Sequence, residues 1–187
     1  MIPAVRSEET QYMKKLLEKI SPNEALEILK LLAKTDKQVK KKILDLAENI
    51  IKDIEYDSIS DDVFWALDSI DVHELWNNSG AMVDGYISTD EMAVEMIEKE
   101  LEPFQKEVFR LMDLGLSQEA KSYCMVVLKG IYMYEHDSNS EFKDWATDIP
   151  GECFGSLLNE WKKRFKNKSD LKQIDEFLKK ECKSWTK

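Results

Sequence analysis

The chain has 187 residues with 27 basic and 37 acidic side chains, which give a formal net charge of −10. It contains only six glycines and four prolines, too few for the turns of a sheet-rich protein, so the composition predicts an all-α fold. Its longest apolar run, residues 123–128, is far shorter than the roughly 20 residues that cross a bilayer, which argues against a membrane protein.

The first third of the chain predicts three helices. Ser7 is the expected cap of a helix over residues 7–20. Ser21 to Glu24 is a capping box with a proline at the first helical position, and Thr35-Asp36 caps a third helix. The apolar residues recur at helical spacing and are expected to face a core. They are Tyr12, Leu16, Leu17 and Ile20; Ala25, Ile28, Leu29, Leu32 and Ala33; and Val39, Ile43, Leu46, Ala47, Ile50 and Ile54.

The next segment predicts a connector over residues 56–60, followed by two short helices. Ser60-Asp61-Asp62 is expected to begin the first of them and Asp71 to cap the second, over residues 72–78. Glycines then mark a loop over residues 78–86, with left-handed positions expected at Gly80 and Gly85.

Residues 88–134 predict a helical hairpin around which the rest of the chain is organised. Ser88 to Glu91 is a second capping box, and Gly115 is expected to end the first helix in the left-handed conformation. Ser117 is expected to open the second helix. The second helix should bury Ala120, Cys124, Val127, Leu128 and Ile131.

The C-terminal part predicts helices over residues 152–166 and from Ser169 to about Cys182. Among the tryptophans, Trp65, Trp76, Trp145 and Trp161 are expected in the core and Trp185 at the surface. The whole chain, residues 1–187, is therefore predicted to be one all-α domain of eight to ten helices in stacked antiparallel pairs, an α-α superhelix of HEAT- or TPR-like build. The helix pair over residues 150–187 is expected to pack on it as a cap.

A family resemblance rests on three stretches: Ala33 to Val39, Ile70 to Gly80 and Glu100 to Phe104. Together they resemble the helical-repeat regions found in some SWIM zinc-finger proteins, over roughly residues 25–135. The SWIM module itself is a Cys-x-Cys pair followed by Cys-x-His, and this chain has neither pair. The resemblance therefore implies a helical scaffold and carries over no zinc or nucleic-acid role.

No metal, cofactor or catalytic set is readable in the sequence. Zinc needs ligands at converging spacing, which the chain's few cysteines and histidines do not show: Cys124, Cys153, Cys182, His73 and His136. Lysines cluster at residues 37–42 without interleaved aromatic residues, which argues against nucleic-acid binding. The chain is predicted not to be an enzyme. The alternative is a carboxylate-based or metal-dependent enzyme whose scattered acids converge only in the fold.

Charge is distributed unevenly along the chain. Residues 53–102 hold fifteen acidic side chains against Lys99 alone, whereas residues 160–187 hold ten basic against five acidic. The sequence therefore predicts a non-catalytic scaffold that presents an acidic surface to a basic segment of another protein, or to its own basic C-terminal helix in self-association. The expected partner-binding residues are Asp61, Asp62, Asp84 and Tyr86.

The remaining signals concern location. Three cysteines, an odd number, argue against a disulfide framework. Residues 1–6 show no basic stretch followed by an apolar one, so no export signal is expected there. The sequence predicts a cytoplasmic protein.

Overall fold

The computed structural model describes residues 4–52, 55–82 and 85–185. In these ranges the chain is all-α, with nine α-helices, one short 3-10 helix over residues 141–145 and one two-stranded β-hairpin. The helices are α1 (Ala4–Leu17), α2 (Pro22–Thr35), α3 (Lys37–Lys52), α4 (Tyr56–Asp68), α5 (Val72–Asn78), α6 (Thr89–Asp113), α7 (Ser117–Asp137), α8 (Ile149–Arg164) and α9 (Lys168–Glu181). The strands are β1 (Gly80–Met82) and β2 (Gly85–Ile87). The all-α prediction is confirmed.

The chain divides into two compact units, Met1–Ile54 and Glu55–Lys187. The arrangement as one domain over residues 1–187, with residues 150–187 as a cap, stays a prediction. Within the described ranges no helix has both the length and the apolar content needed to cross a lipid bilayer.

In the first unit the predicted caps of α2 and α3 are confirmed. The Glu24 amide donates to the Ser21 hydroxyl at 3.3 Å, and the Ser21 amide donates to the Glu24 carboxylate at 2.8 Å. The Asp36 carboxylate accepts from the Gln38 amide at 2.7 Å. The cap expected at Ser7 is wrong, because α1 already begins at Ala4 and Ser7 lies inside it.

The first unit has no enclosed core over residues 10–51. None of these residues is buried, although α2 and α3 pack on each other. The expectation that the apolar stripes of α1, α2 and α3 form a core is therefore wrong for this range, while Ile54 lies outside the described residues. Two packed helices leave both sides of their seam open, and a further layer is needed to enclose the side chains between them.

In the second unit α7 is the central helix, and α4, α6, α8 and α9 all pack against it. Its expected inner residues are confirmed, and all of them are fully buried: Ala120, Cys124, Val127, Leu128 and Ile131. Four helical neighbours cover α7 on several sides, which is why its buried surface is wider than a single stripe.

Helix α4 crosses α7 at Gly130. A Cβ atom built on Gly130 would lie 2.6 Å from the Ser60 carbonyl oxygen and 2.6 Å from the Val63 Cβ. Ile59 and Ser60 are themselves buried at this crossing. The connector expected over residues 56–60 is therefore wrong, because packing on α7 extends α4 back to Tyr56 and overrides the local start signal at Ser60.

The predicted turn between α6 and α7 is confirmed at Gly115, whose φ is +76°. Its amide donates to the Met112 carbonyl at 2.9 Å, and the Leu116 amide donates to the Leu111 carbonyl at 3.0 Å. This pair of bonds satisfies carbonyls that the helix end would leave open. Ser117 does not cap α7. The cap position is Leu116, which makes no side-chain bond there.

A buried lysine joins α7 to α9. Lys121 Nζ lies 2.8 Å from Asp170 Oδ1, and both side chains are 5% exposed. The ammonium also donates to the side-chain oxygens of Gln118 at 2.6 Å and Gln173 at 2.5 Å. Its three donors thus meet three acceptors, the condition under which a charge is tolerated inside a protein.

The predicted loop over residues 78–86 contains a β-hairpin, which is not among the elements expected from the sequence. Gly80 pairs with Ile87, and Ala81 with Tyr86, in antiparallel register. The left-handed positions expected at Gly80 and Gly85 are confirmed, with φ of +99° and +146°. Since Met82 pairs with Gly85, only two residues connect the strands, which is the usual length for a tight hairpin.

The tryptophan predictions are confirmed for Trp161, which is fully buried, and wrong for Trp65, Trp76 and Trp145, which are 62%, 50% and 39% exposed. On α4 the buried face is occupied by Val63 and Leu67. Trp65 is two positions from Val63 and so lies about 200° around the helix from it.

Candidate functional site

A groove of about 810 Å³ lies between α6 and α8 in the second unit. Glu95, Glu98 and Glu102 line it from α6, together with Lys99, and Glu152 lines it from α8. We call this the acidic groove, defined by these five residues. Four carboxylates thus share one depression with a single ammonium group.

Helical spacing explains the α6 wall. The buried face of α6 carries Ala93, Ile97 and Leu101, and the glutamates at 95, 98 and 102 follow one another at intervals of three and four. This spacing places them in a row on one face of the helix, away from the buried stripe.

The α8 wall follows from the start of that helix. Glu152 is in the first turn of α8, where a carboxylate is favoured by the positive end of the helix dipole. The next residues, Cys153 and Phe154, are buried, which fixes α8 against the unit and leaves Glu152 at the wall of the groove.

The pKa of the Cys153 thiol is affected by the negative charge of the groove. Burial, and then the carboxylates of Glu98 and Glu152, raise its pKa to about 11. The two carboxylates therefore act on one thiol from opposite walls. A thiol with this pKa stays protonated at neutral pH, so it is not an activated nucleophile.

The groove is suited to cationic groups rather than to acid-base chemistry. Glu95, Glu98, Glu102 and Glu152 are all exposed to water, whereas a catalytic carboxyl group is usually tuned by burial. Among the residues that the structure describes, no three His, Cys, Asp or Glu side chains are grouped so as to hold a metal ion.

The partner-binding residues predicted from the sequence lie elsewhere. Asp61 and Asp62 are exposed on α4, and Tyr86 is exposed on β2. Asp84 lies outside the described residues. Of the predicted set, the structure places side by side only Asp61 and Asp62, which are neighbours in the sequence.

Asp62 does belong to a second group of charged side chains, which includes Glu107 and its ion-pair partner Arg110. Burial, and then the carboxylates of Glu107 and Asp62, raise the pKa of Tyr123 to about 12. These residues come from α6, α4 and α7, the three helices that meet at this point.

A surface aromatic patch is formed by His73, Trp76 and Trp145. The rings of Trp76 and Trp145 are 6.3 Å apart and those of His73 and Trp76 are 5.4 Å apart, both edge to face. Exposed tryptophans are common anchors in protein interfaces. The exposure of Trp76 follows from its position in the sequence. It comes directly after Leu75, which is buried, and so lies about 100° around the helix from it.

A serine–histidine contact fastens the end of the described chain to α7. Ser184 Oγ lies 2.8 Å from His136 Nε2, and His136 Nδ1 lies 3.0 Å from the Tyr132 carbonyl oxygen. Since a carbonyl only accepts, Nδ1 carries a proton. The Ser184 hydroxyl also donates to the Tyr132 hydroxyl at 3.3 Å. Trp185 packs edge to face on Tyr132 and Phe154, and we interpret the cluster as structural.

No family model, no curated protein and no solved structure matches the chain. The resemblance to the helical-repeat regions of SWIM zinc-finger proteins stays a prediction.

Proposed function

We propose that this chain is a cytoplasmic, non-catalytic scaffold of stacked antiparallel helix pairs, related to the helical-repeat regions of SWIM zinc-finger proteins, and that its acidic groove binds a basic segment of another protein. The observation that carries the proposal is the groove itself, in which glutamates from two helices face one depression.

The charges favour a lysine- or arginine-rich peptide as the occupant. The second unit carries 28 acidic against 16 basic residues, so its field attracts cations before contact is made. Within the groove, Glu102 is already paired with Lys106 at 2.7 Å. The remaining glutamates, Glu95, Glu98 and Glu152, are the ones that the proposal assigns to the partner's cations.

Because these carboxylates are exposed, each ion pair with the partner should be weak and sensitive to salt. Exposed ion pairs contribute about 0–1 kcal/mol each, so affinity needs several of them at once. Screening over about 10 Å at 0.1 M salt weakens such binding as salt is added. The proposal therefore describes fast, salt-sensitive association rather than tight capture.

The test compares two double variants of equal charge. Glu98→Lys with Glu152→Lys inverts the groove, and Asp61→Lys with Asp62→Lys inverts the exposed face of α4 instead. The probe is a fluorescein-labelled peptide of about ten residues, half of them lysine or arginine, and its binding is followed by anisotropy at low salt. Removing two exposed ion pairs should weaken binding by about tenfold.

The groove variant is expected to lose affinity and the α4 variant to keep most of it. Equal losses in both would mean that the peptide follows net charge only, and the groove would not be a site. If only the α4 variant lost affinity, the peptide would bind at Asp61 and Asp62 and not in the groove.

A further inference from the structure

The first unit exposes an unusually large apolar surface. Twelve large apolar side chains, from Tyr12 on α1 to Ile50 on α3, are 44–75% exposed. We call this set, over residues 12–50, the open apolar face. Four of the twelve lie on α1, five on α2 and three on α3, and α2 and α3 pack on each other.

The area of this face exceeds what a monomer normally leaves in water. With about half of each side chain exposed, the twelve residues together present on the order of 1,000 Å² of apolar surface, of which about two thirds lies on α2 and α3; the largest patch on a typical monomer is roughly 300–600 Å². A standard interface takes about 800 Å² from each partner. The part of this surface on α2 and α3 therefore approaches the size of one standard interface.

The spacing along α3 shows what shape of partner fits. Leu46 and Ile50, which belong to the open apolar face, continue the spacing of the half-buried Val39 and Ile43, so the four follow one another at intervals of four, three and four. This spacing is close to the repeat of 3.5 residues by which helices pack side by side in bundles. Helices α2 and α3 have 14 and 16 residues, so the hairpin presents two seams of nearly equal length.

The charges select a second copy as the partner. The first 54 residues carry eleven basic and nine acidic side chains, whereas the rest of the chain has a net charge of −12. A two-fold interface places the same surface on itself, and it needs both signs in near balance to avoid like-charge repulsion. The first unit meets that condition and the second does not.

We propose that the chain forms a two-fold dimer through the open apolar face, with α2 and α3 of two copies packed as a four-helix bundle. Such an arrangement supplies the second helical layer that the first unit lacks. The apolar residues of α3 then lie in the centre of the bundle.

Size-exclusion chromatography of the full chain with light scattering tests the proposal, at concentrations from about 1 to about 100 µM. The mass is expected to rise toward twice the 21.8 kDa of one chain. The thermal transition of far-UV circular dichroism should move to higher temperature over the same range, because a dimer is stabilised by its own concentration.

Two single variants, Leu46→Glu and Ile50→Glu, place a charge in the seam. Each is expected to weaken dimerisation by about 100-fold or more, since a carboxylate buried there has no partner. Leu114→Glu is the control, because Leu114 is 51% exposed in the second unit and should leave the dimer intact. All five tryptophans follow residue 54, so unchanged tryptophan fluorescence shows that the second unit still folds in every variant.

A mass of one chain at every concentration would overturn the proposal. A dimer that both seam variants leave unchanged would overturn it equally, because the interface would lie elsewhere.

Discussion

Gly130 offers the sharpest test of the packing in the second unit. In Gly130→Ala the new Cβ would lie 2.6 Å from the Ser60 carbonyl oxygen and from the Val63 Cβ. Neither atom is the tip of a flexible side chain, so α4 and α7 must move apart. Such overpacking costs about 1–3 kcal/mol, while alanine in a helix gains about 1 kcal/mol over glycine.

The steric effect should win, because both obstructing atoms are fixed to the backbone of α4. The overpacking cost should therefore be in the upper part of its range, about 2–3 kcal/mol. We expect a net loss of about 1–2 kcal/mol in the free energy of unfolding, which corresponds to a fall of about 3–8 °C in Tm for a unit of this size. Urea unfolding followed by tryptophan fluorescence measures it, since every tryptophan is in the second unit.

Gly155→Ala is the matched control. Gly155 is also inside a helix, α8, but no atom lies within 4 Å of the position that a Cβ would take there. This variant should gain about 0.5–1 kcal/mol from helix propensity alone. If Gly130→Ala gained stability to the same extent, the close crossing of α4 and α7 would be refuted.

Four further predictions concern buried side chains. Lys121→Met leaves the Asp170 carboxylate buried without its cation and should cost about 3–5 kcal/mol in urea unfolding. The hydrogen bond from Lys121 lowers the pKa of Asp170 in the folded protein. The ionised Asp170 therefore stabilises the fold fully at pH values above its unfolded pKa of about 3.9, and this stabilisation is lost as the pH falls through the lower folded pKa. The free energy of unfolding of Asp170→Asn should lack this pH dependence. Tyr134 Oη is buried with no hydrogen-bond partner among the described residues, so Tyr134→Phe should be neutral or stabilising by up to about 1 kcal/mol in the same assay, and a clear loss would reveal a bond. Burial raises the pKa of the Cys124 thiol, so iodoacetamide should label it only slowly at pH 8 until urea is added, and rapid labelling of the native chain would contradict its burial.

Local signals were predictable from the sequence because they act over a few residues. The caps at Ser21, Asp36, Asp71 and Ser88 each bind an amide two or three positions ahead. The left-handed Gly115 is equally local. Residue type and spacing alone are enough to identify all of these features.

The acidic groove was not predictable, since Glu98 and Glu152 are far apart in the chain and meet only because α8 packs beside α6. The acidic run over residues 53–102 contains three of the four groove glutamates, but nothing in the sequence separates them from Asp61 and Asp62. The exposure of the first unit was not predictable for a related reason. An apolar stripe predicts that one face of a helix is buried against another surface, but it does not identify whether that surface belongs to the same chain or to another molecule.

The crossing at Gly130 also bears on the order in which the second unit assembles. Helices α6 and α7 are joined by a turn of a few residues, so they find each other at little entropic cost. Asp68 at the end of α4 accepts a hydrogen bond from Ser138, 70 positions away. This bond can form only after the loop of chain between the two residues has closed. We expect α4 to dock after the folding transition state. Strain introduced at Gly130 should then speed unfolding more than it slows refolding.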